Sequence, residues 1–406
     1  MKKEYLESMA DEVVYIPDNI RGVYEHKMKE LLEDTFYEEN RKEQKIFLSA
    51  VIVCKNEEDV IKNCLDSLIL SEFDEILVVD TGSTDKTIAI VNEYMIKDKS
   101  VRLTHYCWCD DFSSARNFGI DNSKGNWIFF IDADEKLKKR NGRSIKEIIS
   151  FYSRILGDCI GFSPVIISLP NNRLYKKPRI FCKNADYRYF GYVHEILRNS
   201  RNEYVFIPYI TINIIIEHVG YTLDRIDNKI KRNMYLLNKN ILHEPNNPLW
   251  YCYKLRDGED ILSIDEKVKL YNKVCLLCNS PIKENYYLYC CRWASIIMIQ
   301  DFVEKKSINE AKAILLKLKN LEGSCKSDIF YLECIIKMKE IDLQLEEMEK
   351  QANCVRQIES FKASLINTEG YHIDEVIMKL DEMQHKMGIY IEYKDFLLNV
   401  GYIRKV

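Results

Sequence analysis

Three hydrophobic runs, each stopping on polar side chains, constrain this chain more than any other feature. Leu48-Ser49-Ala50-Val51-Ile52-Val53-Cys54 runs into Lys55-Asn56-Glu57, and Glu75-Ile76-Leu77-Val78-Val79-Asp80 runs into Thr81-Gly82-Ser83-Thr84-Asp85. The third, Ile128-Phe129-Phe130-Ile131, ends on Asp132-Ala133-Asp134. Short, continuously apolar runs of this kind read as strands buried on both faces, as in a parallel sheet. Between them lie helical stretches. Glu57 to Leu70 puts Val60, Ile61, Cys64, Leu65 and Leu68 on one face, and 85–95 starts at Asp85 as an N-cap. A further strand is expected at 101–106, then a polar helix start at Asp111-Phe112-Ser113-Ser114-Ala115-Arg116-Asn117. This βαβαβαβ order implies right-handed crossovers and a parallel sheet, and in open α/β sheets ligands bind at the carboxyl ends of the strands.

The texture changes twice along the chain. Residues 1–45 read as a helical, charged N-terminal extension. From 46 to 224 the pattern is α/β, with a helix near 144–156 and strand-rich segments at 159–168, 173–182 and 203–218. From 225 to 406 it is helical throughout, with segments at 225–243, 248–262, 265–279, 284–303, 307–321 and 326–348. Helix pairs of this length suggest a helix-turn-helix solenoid, and Asn246-Asn247-Pro248-Leu249-Trp250-Tyr251 fits the opening of a degenerate tetratricopeptide unit.

Composition removes several function classes. A formal net charge of −4 gives no electrostatic reason for a nucleic-acid partner. No long apolar stretch and no signal-peptide pattern is present, so no stable membrane insertion is expected. The 14 cysteines are scattered without a framework, which points to a reduced, cytoplasmic protein. Cys275, Cys278, Cys290 and Cys291 invite a zinc reading, but the second pair is adjacent and the segment helical, so buried thiols are the expectation.

The chemistry gathers around carboxylates. A lone Asp at a strand end, such as Asp80, is ordinarily a turn residue. Asp132 and Asp134 together are harder to explain without a cation, and Mg²⁺ or Mn²⁺ typically takes one or two carboxylates plus phosphate oxygens. Arg116 and Asn117 at a helix start suit a phosphate or base edge, although Arg116 could equally pair with Asp110 or Asp111. Glu195, in the loop-like run Phe190-Gly191-Tyr192-Val193-His194-Glu195, could serve as a general base. His218 in Glu217-His218-Val219-Gly220-Tyr221 is a metal ligand or a structural imidazole. Lys231 and Arg232 form either a solvated face or a diphosphate clamp. Together these groups imply a metal-assisted site for a nucleotide-sugar.

Cys54-Lys55-Asn56-Glu57, Asp80 to Asp85, Phe112 to Asn117 and Trp127 to Asp134 resemble, in order, the signatures of family 2 glycosyltransferases with the GT-A (Rossmann-like) fold. Gly191 to Glu195 and His218 to Tyr221 resemble a subgroup of that family. The helical tail further resembles the sublancin-type peptide glycosyltransferases that make glycocins. The resemblance implies a UDP-sugar donor, Mg²⁺ or Mn²⁺, and a hexose (glucose) moved with inversion to Cys or Ser of a bacteriocin precursor peptide. It implies that Asn56, Glu57 and Asp80 hold uridine and ribose, and that Asp111, Arg116 and Asn117 line the base and diphosphate. Asp132, with Ala133 beside it, would contact ribose or metal; Asp134 and His218 would ligate the metal, and Lys231 and Arg232 the leaving diphosphate. Glu195 stands where the family has its acid-base carboxylate, and His194 replaces the acidic residue often found before it. The helical tail would bind the peptide acceptor or form a homodimer. A saccharide or lipid-linked acceptor, a non-catalytic binding module and nucleotidyl transfer are the competing readings. The last lacks the Gly-rich, basic loop expected after the first strand.

Overall fold

A computed structural model of the chain describes residues 2–33, 45–139, 142–169, 172–201, 206–219, 226–278, 285–358 and 360–403. It divides into two compact units, Met1–His243 and Glu244–Val406.

The first unit opens with α1 (Lys2–Ala10), β1 (Val13–Tyr15) and α2 (Asp18–Glu33). Next come β2 (Leu48–Cys54), α3 (Ile61–Ile69), β3 (Glu75–Asp80), α4 (Thr87–Lys97), β4 (Val101–His105), α5 (Phe112–Asn122) and β5 (Trp127–Phe130). They are followed by β6 (Glu135–Leu137), α6 (Ile145–Leu156), β7 (Gly161–Leu169), β8 (Arg173–Lys176) and β9 (Ile180–Cys182). A small hairpin, β10 (Tyr187–Phe190) and β11 (Ile196–Asn199), precedes β12 (Tyr209–Val219) and α7 (Ile226–His243). The main sheet runs β1-β12-β7-β9-β5-β2-β3-β4, with β6 on β12 and β8 on β7. Strands β4, β3, β2 and β5 are mutually parallel, as the sequence order implies, whereas β9 enters antiparallel to β5.

Both faces of the sheet are buried, and the alternation is strict. Leu48, Ala50, Ile52, Ile76, Val78, Trp127 and Phe129 join one core, while Val51, Leu77, Val79, Ile128 and Phe130 join the other. Helix α5 packs so closely on this second face that a Cβ on Gly119 would lie 2.7 Å from Val51 Cγ1. Glycine is required there for close approach, and the approach sets where α5 presents its N-terminal half.

Several expectations need adjustment. Helix α3 starts at Ile61 rather than Glu57. Asp85 is not the N-cap of α4, since Lys86 is; its carboxylate instead accepts the N–H groups of Thr87 and Glu58. The N-terminal extension is not purely helical, because Val13–Tyr15 pairs with β12 at the sheet edge. The junction expected at 224/225 lies outside the described residues, as do Gly220, Tyr221 and residues 34–44. Compactness places α7 with the first unit, where Asn240 accepts the N–H of Tyr192 and donates to the carbonyl of Val193.

The second unit is helical: α8 (Pro248–Asp257), α9 (Ile264–Cys278), α10 (Asn285–Glu304), α11 (Ile308–Lys319), α12 (Lys326–Ile358), α13 (Tyr371–Met383) and α14 (Met387–Asn399). Sequential helices pack on one another, as in stacked hairpins. Helix α12 departs from a tetratricopeptide pattern: its 33 residues equal a whole two-helix repeat of about 34. The expected thiols are buried or half-buried; Cys278 and Cys252 donate to the carbonyls of Tyr287 and Cys290.

Candidate active site

The loops after β2 and β3 are knitted to each other. Asp80 is buried, and its carboxylate accepts the N–H groups of Gly82 and Ser83 at 3.0 and 3.1 Å, closing the turn. Asn56 adopts a left-handed backbone (φ 56°); its side-chain oxygen accepts the N–H of Thr84 at 2.8 Å and its own N–H donates to Ser83 Oγ at 2.9 Å. The Glu57 N–H donates to Thr87 Oγ1. These residues build a rigid ledge, so Asn56 and Asp80 act first as turn-makers.

Two residues expected at the donor are likewise architectural. Asp111 caps α5, its carboxylate accepting the Ser114 N–H at 3.0 Å and the hydroxyls of Ser113 and Ser114. Asn117 joins α5 to the hairpin: its amide donates to Tyr189 O and accepts the Tyr189 N–H, both at 2.9 Å. Their side chains are thus partly engaged by the protein, and each keeps hydrogen-bonding capacity for the ligand role expected of it.

Arg116 pairs with neither Asp110 nor Asp111. It lies buried over the rings of Phe130 and Tyr189, donating from Nε to Glu195 at 2.6 Å and from Nη2 to Asp132 at 2.9 Å. On the other side of Asp132, Arg179 Nη2 donates to its second oxygen at 2.9 Å and to Glu135 at 2.9 Å. Asp132 and Glu135 also close a turn, the Asp132 N–H donating to Glu135 Oε2 at 2.8 Å. For Asp132, the positive charge that the acidic strand end demands is supplied here by a pair of guanidinium groups. Ala133 between the two aspartates is buried.

The electrostatics follow from this geometry. Burial alone would raise the Asp132 pKa, but Arg179 and Arg116 outweigh it and hold the carboxyl well below its usual range. Burial likewise pushes against ionised Glu195, and Arg116 with Lys177 more than reverses it, leaving Glu195 ionised to lower pH than usual. Glu135, more deeply buried and beside Asp132, is pushed up to about 7 despite Arg179. Arg116 Nη1 and Arg179 Nε are buried without a hydrogen-bond partner among the described residues. Such orphan donors in a strand-end cleft suit an anionic ligand.

Asp134 is handled differently. Its carboxylate lies 3.1 Å from His218 Nε2, while His218 Nδ1 faces Ser168 Oγ at 3.4 Å. The hydrogen bond that His218 donates to Asp134 raises the His218 pKa against the opposing effect of burial. Residue 218 reaches this place because β12 pairs with β6, setting His218 opposite Glu135 in the ladder. Among the described residues no group of three or more His, Cys, Asp or Glu converges to hold a metal. A carboxylate and an imidazole in contact nonetheless fit a divalent ion that completes its shell with water and phosphate oxygens.

The 191–195 loop carries Glu195 into the knot. His194 has a left-handed backbone (φ 54°), and the loop is fastened by Asn240 and by the Phe112 N–H donating to Tyr192 O. On α7 both Lys231 and Arg232 are exposed; Arg232 stacks 5.0 Å over Phe112 and donates to Asn233 Oδ1. It thus flanks the start of α5.

Three charged residues gathered here were not among the expected site residues: Arg179, Glu135 and Lys177. The signal was present in Lys176-Lys177-Pro178-Arg179, a basic run entering the apolar strand Ile180-Phe181 without nearby acid, and in the extra carboxylate directly after Asp134.

Residues 49–207 match the family model described as Glycosyl transferase family 2. This segment is a family 2 glycosyltransferase domain. It holds every member of the knot. The chain is 30% identical over 257 residues to the SPbeta prophage-derived glycosyltransferase SunS of Bacillus subtilis, covering 58% of this chain and 59% of that protein. It is 33% identical over 158 residues to the lipopolysaccharide core biosynthesis glycosyltransferase LpsC of Rhizobium meliloti, covering 39% of this chain and 50% of that protein. The chain thus spans little more than half the length of these curated relatives. Among solved structures, S. aureus TarS is similar at a TM-score of 0.39 and 13% identity, over 66% of this chain and 54% of that one. No helix among the described residues is long and apolar enough to cross a membrane.

Proposed function

We propose that this chain is an inverting, metal-dependent glycosyltransferase that moves a hexose, glucose in our reading, from a UDP-sugar to Cys or Ser of a bacteriocin precursor peptide. One observation carries the reading. At the carboxyl ends of β5 and β12, a closed Arg116–Asp132–Arg179 knot stands beside a separate Asp134–His218 pair suited to a divalent ion.

Asp134 and His218 would hold the Mg²⁺ or Mn²⁺, and Asp132 would not. When bound, that ion would offset negative charge on the diphosphate. The knot keeps Asp132 ionised and rigid, available for a ribose hydroxyl through the part of its side chain that stays exposed. In the reaction the acceptor's lone pair forms the bond to the anomeric carbon. The carbon–oxygen bond to UDP breaks, and the electron pair leaves with the diphosphate.

Glu195 accepts the acceptor's proton in this reading, and its surroundings limit how strongly. Held ionised by Arg116, it is in the right state at neutral pH but is a weak base. A thiol with a pKa of about 8.5 needs little help from it, whereas a Ser hydroxyl needs much more. The geometry therefore favours a Cys acceptor. The deciding experiment is mass spectrometry of donor hydrolysis and transfer across UDP-sugars with Mn²⁺ or Mg²⁺, offering Cys peptides, Ser peptides and a saccharide. Transfer to the saccharide alone would favour an envelope-polymer enzyme, and no donor turnover would favour a binding module.

A further inference from the structure

A sugar nucleotide brings strong negative charge to the cleft, and the two buried arginines, each with one N–H group left unpaired among the described residues, are otherwise held by carboxylates. Arg116 is divided between Asp132 and Glu195, and Arg179 between Asp132 and Glu135. Pulling either away would leave a buried carboxylate uncompensated, which is costly. Lys177, two residues before Arg179, is in a different position. It is close enough to Glu195, Arg179, Arg116 and Asp132 for all four charges to act on it, and although the residue as a whole is exposed, its ammonium is crowded by protein atoms. No hydrogen bond or ion pair ties it to another described residue. Crowding by protein atoms lowers its pKa, Glu195 opposing this and the two arginines adding to it, so Glu195 answers its charge only in part.

On the reading of the chain as a UDP-sugar transferase, we propose that Lys177 is the cation that meets the donor's diphosphate. It hydrogen-bonds the oxygen that takes up the electron pair as the bond to the anomeric carbon breaks, and it keeps its proton throughout. An ammonium placed where charge develops contributes more in the transition state than in the ground state.

The test uses the full chain and the variants Lys177→Met and Lys177→Arg, with calorimetric titration of UDP and of uridine in the presence of Mn²⁺, together with donor turnover. Lys177→Met should melt close to the wild type, because no hydrogen bond or ion pair to another described residue is lost. It should bind UDP about 10-fold more weakly, bind uridine unchanged and lose on the order of 10²-fold in kcat. Lys177→Arg should recover most of both. Wild-type UDP affinity and wild-type turnover in Lys177→Met would overturn the assignment while leaving the transferase reading intact. Unchanged UDP affinity with a raised acceptor KM would overturn it in favour of an acceptor contact. A wild-type chain that binds no UDP would overturn both.

Discussion

The two compact units bury charge in opposite ways. In the helical unit, two buried carboxylates are met in separate, dispersed pairs, Asp301 by Lys267 and Asp374 by Arg356 at 2.7 Å, each joining elements that must pack. In the α/β unit, Arg116, Arg179, Asp132, Glu135 and Glu195 converge on one strand end and share partners. A pair is explained once its two helices are in place. A shared knot at the rim of a sheet constrains several loops at once and leaves donors unused, as expected of a site pre-organised for a ligand.

Breaking one member of each kind should separate them. Arg179→Met leaves Glu135 without its cation and Asp132 with Arg116 alone, and should cost about 3–5 kcal/mol by urea unfolding, with transfer abolished. Lys267→Met should cost a similar amount, since Asp301 is left buried. Below its melting temperature it should retain donor hydrolysis. Loss of hydrolysis in both, at matched folded fraction, would erase the distinction.

Glu195→Gln should reduce transfer to Ser acceptors by roughly 10²–10⁴-fold and to Cys acceptors far less. Equal losses on both would remove its role as base. The same variant tests linkage. The folded state keeps Glu195 ionised to lower pH than the unfolded chain does. The pair therefore adds stability above the ordinary carboxylate range and loses it as pH falls through the folded-state value. Melting temperatures between pH 7 and acid should fall less steeply in Glu195→Gln than in the wild type.

Smaller effects probe the scaffold. Gly119→Ala pushes a Cβ onto Val51 and should cost about 1–3 kcal/mol, with a drop in activity as α5 shifts Arg116. Asp111→Ala removes only a helix cap and should cost about 1 kcal/mol while UDP affinity stays unchanged. A large loss of UDP affinity there would place Asp111 at the donor site.

Much of this was legible in the chain. Continuous apolar runs located β2, β3 and β5 to within two residues, because burial on both faces leaves no other reading of Val-Ile-Val or Ile-Phe-Phe. The acidic strand end also announced a cation. Its nature was not legible, because Arg179 lies 47 residues from Asp132 and reaches it only through the antiparallel insertion of β9 beside β5. Strands as short as β1, β6 and the β10–β11 hairpin carry too few residues for a period to show. The architectural contacts of Asp111 and Asn117 were not legible either, because caps and hairpin clamps use the same polar residues as ligand contacts.

Calorimetric titration of UDP into the wild type and into Asp134→Asn and His218→Ala, with Mn²⁺ and then with excess EDTA, probes the strand-end site most directly. Binding should require Mn²⁺ in the wild type and fall at least 10-fold in both variants, whose melting temperatures stay within a few degrees. Equal UDP affinity in all three proteins, indifferent to EDTA, would contradict a donor site built on Asp134 and His218.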